Sequence, residues 1–283
     1  MIPAQQVNRG YGGVLCRRKA LRWRTITVNG WSVALQNERY NSMPWQEVGE
    51  GNSAWFYEYD FFQPKYKYHY KANALALLLN ERQLAIVSPP SGQSKEDFET
   101  IDSRGTVAVL VAPNAGHDAG LAQWQTRYPD AVLYAPIRAL ENLRTYGRPF
   151  VPLAQLLARN VEFRETPDGR EAISIARSGK RPVVYLGELV MNGDSLPVAR
   201  LRFWLTGRRP GIRINSVYSK NLGSDRQMVA QAVLEALKGE PVVVLAHGAP
   251  LVDHHDVANA RALVEPLARY PRHIIAIPGR RRS

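Results

Sequence analysis

The sequence predicts a layered α/β domain, and three observations point to it. Strand-sized apolar runs recur along the chain, among them Ala74–Leu79, Val183–Leu186 and Val242–Ala246, all far short of the roughly 20 residues of a membrane span. Between them lie segments whose apolar residues return every three or four positions, the period of a half-buried helix. Histidines and carboxylates stand directly after the apolar runs, where a layered sheet presents polar groups to a crevice.

In chain order, Trp55–Phe62 is aromatic and suits an early strand. With Tyr66, Tyr68 and Tyr70 its rings could stack on bases, but a half-buried sheet face accounts for them better. Asn73–Leu79, a turn at Asn80-Glu81-Arg82, and Gln83–Ser88 form a hairpin that Pro89-Pro90-Ser91-Gly92 ends. Lys95–Ile101 suits a short helix and Gly105–Ala112 a buried strand. A loop over Pro113–His117 leads to a helix carrying Leu121, Trp124 and Tyr128, which Pro129 stops. Ala131–Ala135 is the next strand, and Leu153–Ala158 suits a short helix. Val161–Glu165 and Ala172–Ala176 flank a Pro167-Asp168-Gly169 turn, and Pro182–Gly187 is a further strand. A Ser224-x-x-Gln227 capping box predicts a helix from Ser224 to the stop at Gly239. Pro241–Ala246 is the last strand, and the last helix turns Val257, Ala260, Val264 and Leu267 inward.

The 283 residues hold 37 basic and 25 acidic side chains, a net charge of +12. The excess sits at the ends. Arg9, Arg17, Arg18, Lys19, Arg22 and Arg24 fall in a stretch of 30 residues without an acid, and Arg280–Arg282 close the chain. Outside those stretches 28 basic residues face 25 acidic ones, so the body lacks the basic bias of a nucleic-acid binder. Residues 1–42 read as a basic extension, 43–278 as one domain and 279–283 as a basic tail. Met43 is the expected working start, with an Arg-rich transit peptide as the rival reading. The expected compartment is the cytoplasm, or an organelle matrix if 1–42 is such a peptide. The single cysteine, Cys16, excludes a disulfide framework and a multi-cysteine zinc cluster.

Three apolar strands end in a histidine or a glutamate. His117 follows Gly105–Ala112 after a short loop, Glu188 follows Pro182–Gly187, and His247 follows Val242–Ala246 at once. Two imidazoles and a carboxylate can hold one zinc or iron ion and leave a position for water. The plain alternative is that each is a hydrogen-bonded strand-end residue. His254 and His255, between Asp253 and Asp256, look metal-like but suit a helix start, Asp253 as its N-cap. His69 reads as a strand residue and His273 as part of the tail. Arg200, Arg202, Arg208, Arg209 and Arg213 read as a solvated helix face and loop, with an anionic ligand as the rival.

From about Trp55 to Tyr270 the chain resembles the metallo-β-lactamase-like superfamily. Asn73–Pro90 is similar to that family's opening strands, and Thr106–Leu121 to its His-x-His-x-Asp-His loop and helix. Val183–Glu188 resembles the later strand ending in Gly-Asp, and Val243–Gly248 the last strand ending in His-Gly. The resemblance implies an αββα sandwich, two mixed sheets face to face with helices outside. It also implies what is missing. Aligned on His117, the other motif positions fall on Gly116, Asn114 and Ala112, and no histidine lies between 118 and 246. Pro113-Asn114-x-x-His117, with Trp124 and Tyr128-Pro129-Asp130-Ala131, is similar to a divergent branch with no established reaction. A dinuclear centre is therefore not expected.

Two functions remain open. One is a mononuclear metal-dependent hydrolase of an ester, lactone or thioester. His117, Glu188 and His247 would hold zinc or iron, Asp118 or Asp194 would take the proton, and Asn114 would donate to an oxyanion. The other, given equal weight on the cofactor, is a metal-free binding or scaffold protein with a small-molecule or protein partner. Nucleic acid is not expected beyond the charge of the tails.

Overall fold

The structure is a computed structural model that describes residues 23–28, 31–36, 44–63, 68–143, 149–193 and 211–269. The backbone falls into two units, residues 1–41 and residues 42–283, and each is taken by itself. In the first, β1 (Trp23–Val28) pairs antiparallel with β2 (Trp31–Gln36). Reading residues 1–42 as lacking a regular period overlooked this hairpin. Its β-branched run Thr25-Ile26-Thr27-Val28 is a propensity signal rather than a long alternation.

In the second unit one sheet runs β3 (Gln46–Glu47), β4 (Ala54–Gln63), β5 (Tyr68–Leu78), β6 (Gln83–Val87), β7 (Thr106–Val111), β8 (Val132–Ala135) and β9 (Val151–Pro152), neighbours in that order. Pairing is antiparallel from β3 to β6 and parallel from β6 to β9. Two short strands, β13 (Val190–Asn192) and β14 (Ile212–Ile214), make a separate antiparallel pair. The second large sheet runs β10 (Val161–Glu165), β11 (Ala172–Ala176), β12 (Val183–Leu186) and β15 (Val242–Leu245), with β12 and β15 parallel. The helices are α1 (Lys95–Asp102), α2 (Leu121–Arg127), α3 (Leu140–Leu143), α4 (Ser216–Asn221), α5 (Arg226–Ala236) and α6 (His254–Arg269).

The apolar runs are continuous because both faces of each sheet are covered. Leu75, Leu77, Ala85 and Val87 meet Val183, Tyr185, Val242 and Val244 between the sheets. On the opposite side of the same strands, Ala74, Ala76, Leu84 and Ile86 pack under Phe98 and Ile101 of α1 and Leu121 and Trp124 of α2. Val184, Leu186, Val243 and Leu245 pack under Val229 and Val233 of α5 and Val257 and Val264 of α6. The result is an αββα sandwich, as the resemblance implied. Trp55, Tyr57 and Tyr59 are 1–2% exposed within the first helix layer, so they are core and no base-stacking platform. Tyr66 lies outside the described residues, as do the side chains of Tyr68 and Tyr70. Among the described residues no helix is long and apolar enough to cross a membrane.

Three local expectations need correction. Ser224 does not cap a helix: Gly223–Asp225 is a 3₁₀ turn, α5 starts at Arg226, and Asp225 stands at its N-cap without a side-chain bond. The side-chain cap belongs to α4, where Asn215 Oδ1 accepts from the N–H groups of Val217 and Tyr218 at 3.2 and 3.3 Å. Only Leu153–Gln155 of the expected helix at 153–158 is helical, as one 3₁₀ turn. Arg213 sits in β14 rather than on a helix face, and Arg200, Arg202, Arg208 and Arg209 lie outside the described residues, as does the tail at 279–283.

Candidate metal centre

The parallel pairing of β12 and β15 sets two of the three groups side by side. Leu186 is in register with Leu245, so Glu188 and His247 each stand two residues past the same rung. His117 arrives from the other sheet, on the loop after β7. Asn73 of β5 joins the sheets at this point, its Nδ2 donating to Leu245 O at 2.8 Å and Gly248 O at 2.5 Å. Gly248 has φ +93°, and a Cβ there would lie 2.1 Å from Asn192 O, so glycine alone lets the chain turn away from His247.

His117 Nε2 lies 2.9 Å and His247 Nε2 3.1 Å from the same oxygen, Glu188 Oε1. Candidate ligand atoms of the three residues lie within 4.8 Å of one another, and among the described residues no other His/Cys/Asp/Glu group of three or more does so. Both imidazoles are buried, at 4% and 9% exposure. Glu188 Oε2 accepts from Asn215 Nδ2 at 3.1 Å. Burial pushes the Glu188 carboxyl up, but the charge of His247 and the bonds from both imidazoles outweigh it and hold the group well below the carboxylate range. For His247 burial pulls the other way first, and the Glu188 charge overcomes it, leaving the imidazole raised.

The far nitrogens of the rings are also engaged. His247 Nδ1 donates to Lys71 O at 2.8 Å, a contact with a carbonyl that only an N–H can make. His117 Nδ1 bonds Ser88 Oγ at 2.9 Å, and Ser88 Oγ bonds Tyr59 Oη at 3.0 Å. Ser88 is fully buried and has φ +56°, a left-handed backbone rare for serine and costly by roughly 1–3 kcal/mol.

Beneath Glu188 lies a second carboxylate. The N–H of Glu188 donates to both Glu171 oxygens at 3.0 Å, and Asn114 Nδ2 donates to Oε1 at 3.3 Å. Burial, then the neighbouring charge of Glu188, pushes the Glu171 carboxyl up to about 8. Gly187 makes room for it, since a Cβ there would lie 2.3 Å from Glu171 Oε2. A cavity of about 650 Å³ opens beside these groups, lined in part by Asn114, Ile137, Arg138, Glu171, Glu188 and Tyr218.

Of the residues expected from sequence, His117, Glu188 and His247 converge. Asn114 reaches the same cavity, its amide committed in part to Glu171. Asp118 is half-buried beside His117, with its charge felt at Tyr59. Asp194, the side chain of His69, and His273 lie outside the described residues. His254 pairs at the surface with Glu240 at 2.5 Å, away from the triad. Sequence reasoning passed over Glu171, Ser88, Tyr59 and Asn215. Asn215 carried a signal, since Asn before Ser216 is a helix N-cap pattern. A buried glutamate after a hairpin turn reads like any exposed one.

The four layers make an αββα sandwich that carries a His-Glu-His group at its converging strand ends. The chain has the metallo-β-lactamase fold. It is similar to metallo-β-lactamase IND-7 at 12% identity and TM-score 0.51, over 81% of this chain and 100% of that one. The metallo-β-lactamase from Hirschia baltica matches at 12% and 0.50, over 78% and 98%. The metal-soaked Flv1 flavodiiron core from Synechocystis sp. PCC6803 matches at 13% and 0.50, over 78% of this chain and 61% of that one. No family model matches the sequence, and no curated protein is significantly similar to it.

Proposed function

We propose that the protein is a mononuclear metal-dependent hydrolase acting on a carbonyl ester-type substrate, with His117, Glu188 and His247 holding one zinc or iron ion. The observation that carries this is at His247. Its Nδ1 gives its proton to Lys71 O, so in the neutral ring Nε2 is a bare lone pair 3.1 Å from a carboxylate oxygen. Two electron-rich atoms that close require a positive centre, either a proton on Nε2 or a metal ion. The donor set suits the ion: two imidazoles and one carboxylate are zinc and non-haem iron ligands. The spacing is close to what an ion needs: ligands at 2.0–2.2 Å around a tetrahedral ion sit about 3.3–3.6 Å apart, so the 2.9 and 3.1 Å contacts would open by a few tenths of an ångström around it.

A bound ion supplies Lewis acidity, which polarises a carbonyl and acidifies a water. The remaining roles belong to the chain. Asn114 has two N–H donors and spends one on Glu171, which leaves one for a developing oxyanion. Glu171 lines the cavity and, with its carboxyl near 8, is mostly protonated at neutral pH, so it can hand a proton to a leaving oxygen. Asp118 is the proton acceptor nearest in sequence to His117, and Asp194 is its alternate.

The second reading is a metal-free binding protein. It is favoured by the three side-chain hydrogen bonds that Glu188 already accepts, which complete the triad once His247 is protonated. Hydrolysis of a panel of 4-nitrophenyl esters and thioesters separates the two. The hydrolase reading expects turnover that exhaustive chelation abolishes and one equivalent of zinc(II) or iron(II) restores. No turnover from metal-loaded protein would favour the second reading, and turnover that survives exhaustive chelation would overturn both.

A further inference from the structure

Two arginines line the cavity at a place the reaction above does not use. Arg170 is held at two of its nitrogens. Its Nη1 donates to Asn221 O at 3.0 Å, and its Nε lies 3.5 Å from Oδ2 of Asp168, whose side chain is wholly buried. That anchoring fixes the plane of the guanidinium and leaves Nη2 without a partner among the described residues. Arg138 is exposed and its guanidinium has no partner among the described residues, while its backbone N–H donates to Gly169 O at 2.9 Å. Gly169, with φ +68°, thus brings Arg138 next to Arg170. Both line the cavity that reaches Glu188 and Glu171. The other charged side chains lining this cavity are Glu141, Glu171 and Glu188, and Asp168 is sealed beneath Arg170. A guanidinium fixed by a buried carboxylate, beside a second one free to close, offers directional donors that match a planar or tetrahedral oxyanion.

We propose that Arg138 and Arg170 clamp an oxyanion at the cavity rim, so that the substrate is a small acyl ester or thioester carrying a carboxylate or phosphate at its far end. The proposal rests on the hydrolase reading for the ester, and on the arginines alone for the anion. A volume of about 650 Å³ holds a metabolite-sized ligand rather than a polymer.

The test is calorimetric titration of glutarate, propyl phosphate and the neutral glutaramide into metal-loaded and chelator-treated protein, with R138Q and R170Q beside the wild type. Arg138 makes no side-chain bond among the described residues, so R138Q keeps the fold even if R170Q loosens the α4 contact. Expected are binding of at least one anion, at least tenfold weaker binding of glutaramide, and at least a tenfold loss in R138Q. The relative affinities of glutarate and propyl phosphate identify the anionic group. Binding that persists without metal and falls in R138Q supports the clamp even where no hydrolysis is found. Equal affinity for anion and amide, or anion affinity unchanged in both variants, overturns it whatever the metal content.

Discussion

Glu188 places one oxygen between two imidazole nitrogens, and the protonation of the whole cluster follows from that contact. In metal-free protein the Glu188 carboxyl is lowered from 4.5, so its stabilisation is present above that pH and is lost as pH falls through the folded value. His247 is raised from 6.5, so its stabilisation is complete below that pH and is lost as pH rises through the folded value. Together they favour the metal-free fold most between those two values. Glu171 adds a slope of its own: raised from 4.5 to about 8, it favours the fold below 4.5 and loses that advantage as pH rises to 8. Glu171→Gln copies the neutral carboxyl and removes the slope. Urea unfolding of chelator-treated protein is expected to find E171Q gaining a few kcal/mol on wild type between pH 5 and pH 8; a difference equal at both pH values would mean Glu171 ionises normally. Ser88→Ala breaks the link from Tyr59 to His117 and leaves a buried hydroxyl unsatisfied. It is expected to cost about 1–3 kcal/mol and to weaken zinc binding by roughly 10–100-fold, measured by competition with a chromophoric chelator. Unchanged zinc affinity would remove Ser88 from the site.

At the scale of elements, the register of β12 against β15 does the positioning, and the turn after His247 preserves it. Gly248→Ala puts a Cβ into Asn192 O at a positive φ, and is expected to lose roughly 2–3 kcal/mol in denaturant unfolding and to weaken metal binding as well. A variant as stable as wild type would show the turn to be adaptable. This is also where sequence reading succeeded and failed for physical reasons. Val183–Leu186 and Val242–Leu245 were legible because strands buried on both faces are unbroken apolar runs, and the polar residue that ends each run is then conspicuous. The pairing of those strands, which converts two strand-end residues into a cluster, is a long-range fact without a local signature. The start of α5 was misplaced because Ser224 and Gln227 match a capping pattern that a 3₁₀ turn uses up. β13 and β14 are three residues each, too short to show a period.

At the scale of the molecule, the resemblance to the superfamily was legible from four segments in order, and the three core clusters bear out the four layers it implied. Nine of the twelve net positive charges sit at the two ends, and among the described residues the buried core begins at Trp45. A chain starting at Met43 is expected to keep its unfolding midpoint and its metal content; loss of either would give residues 1–42 a part in the stability of the domain. If His117, Glu188 and His247 hold an ion as proposed, metal analysis of the purified protein will find it. Protein purified without chelator is predicted to carry about one zinc or iron per chain, and the His117→Ala and His247→Ala proteins, folded by circular dichroism, less than about a tenth of that. No bound metal in the wild type, or equal metal in all three, would contradict it.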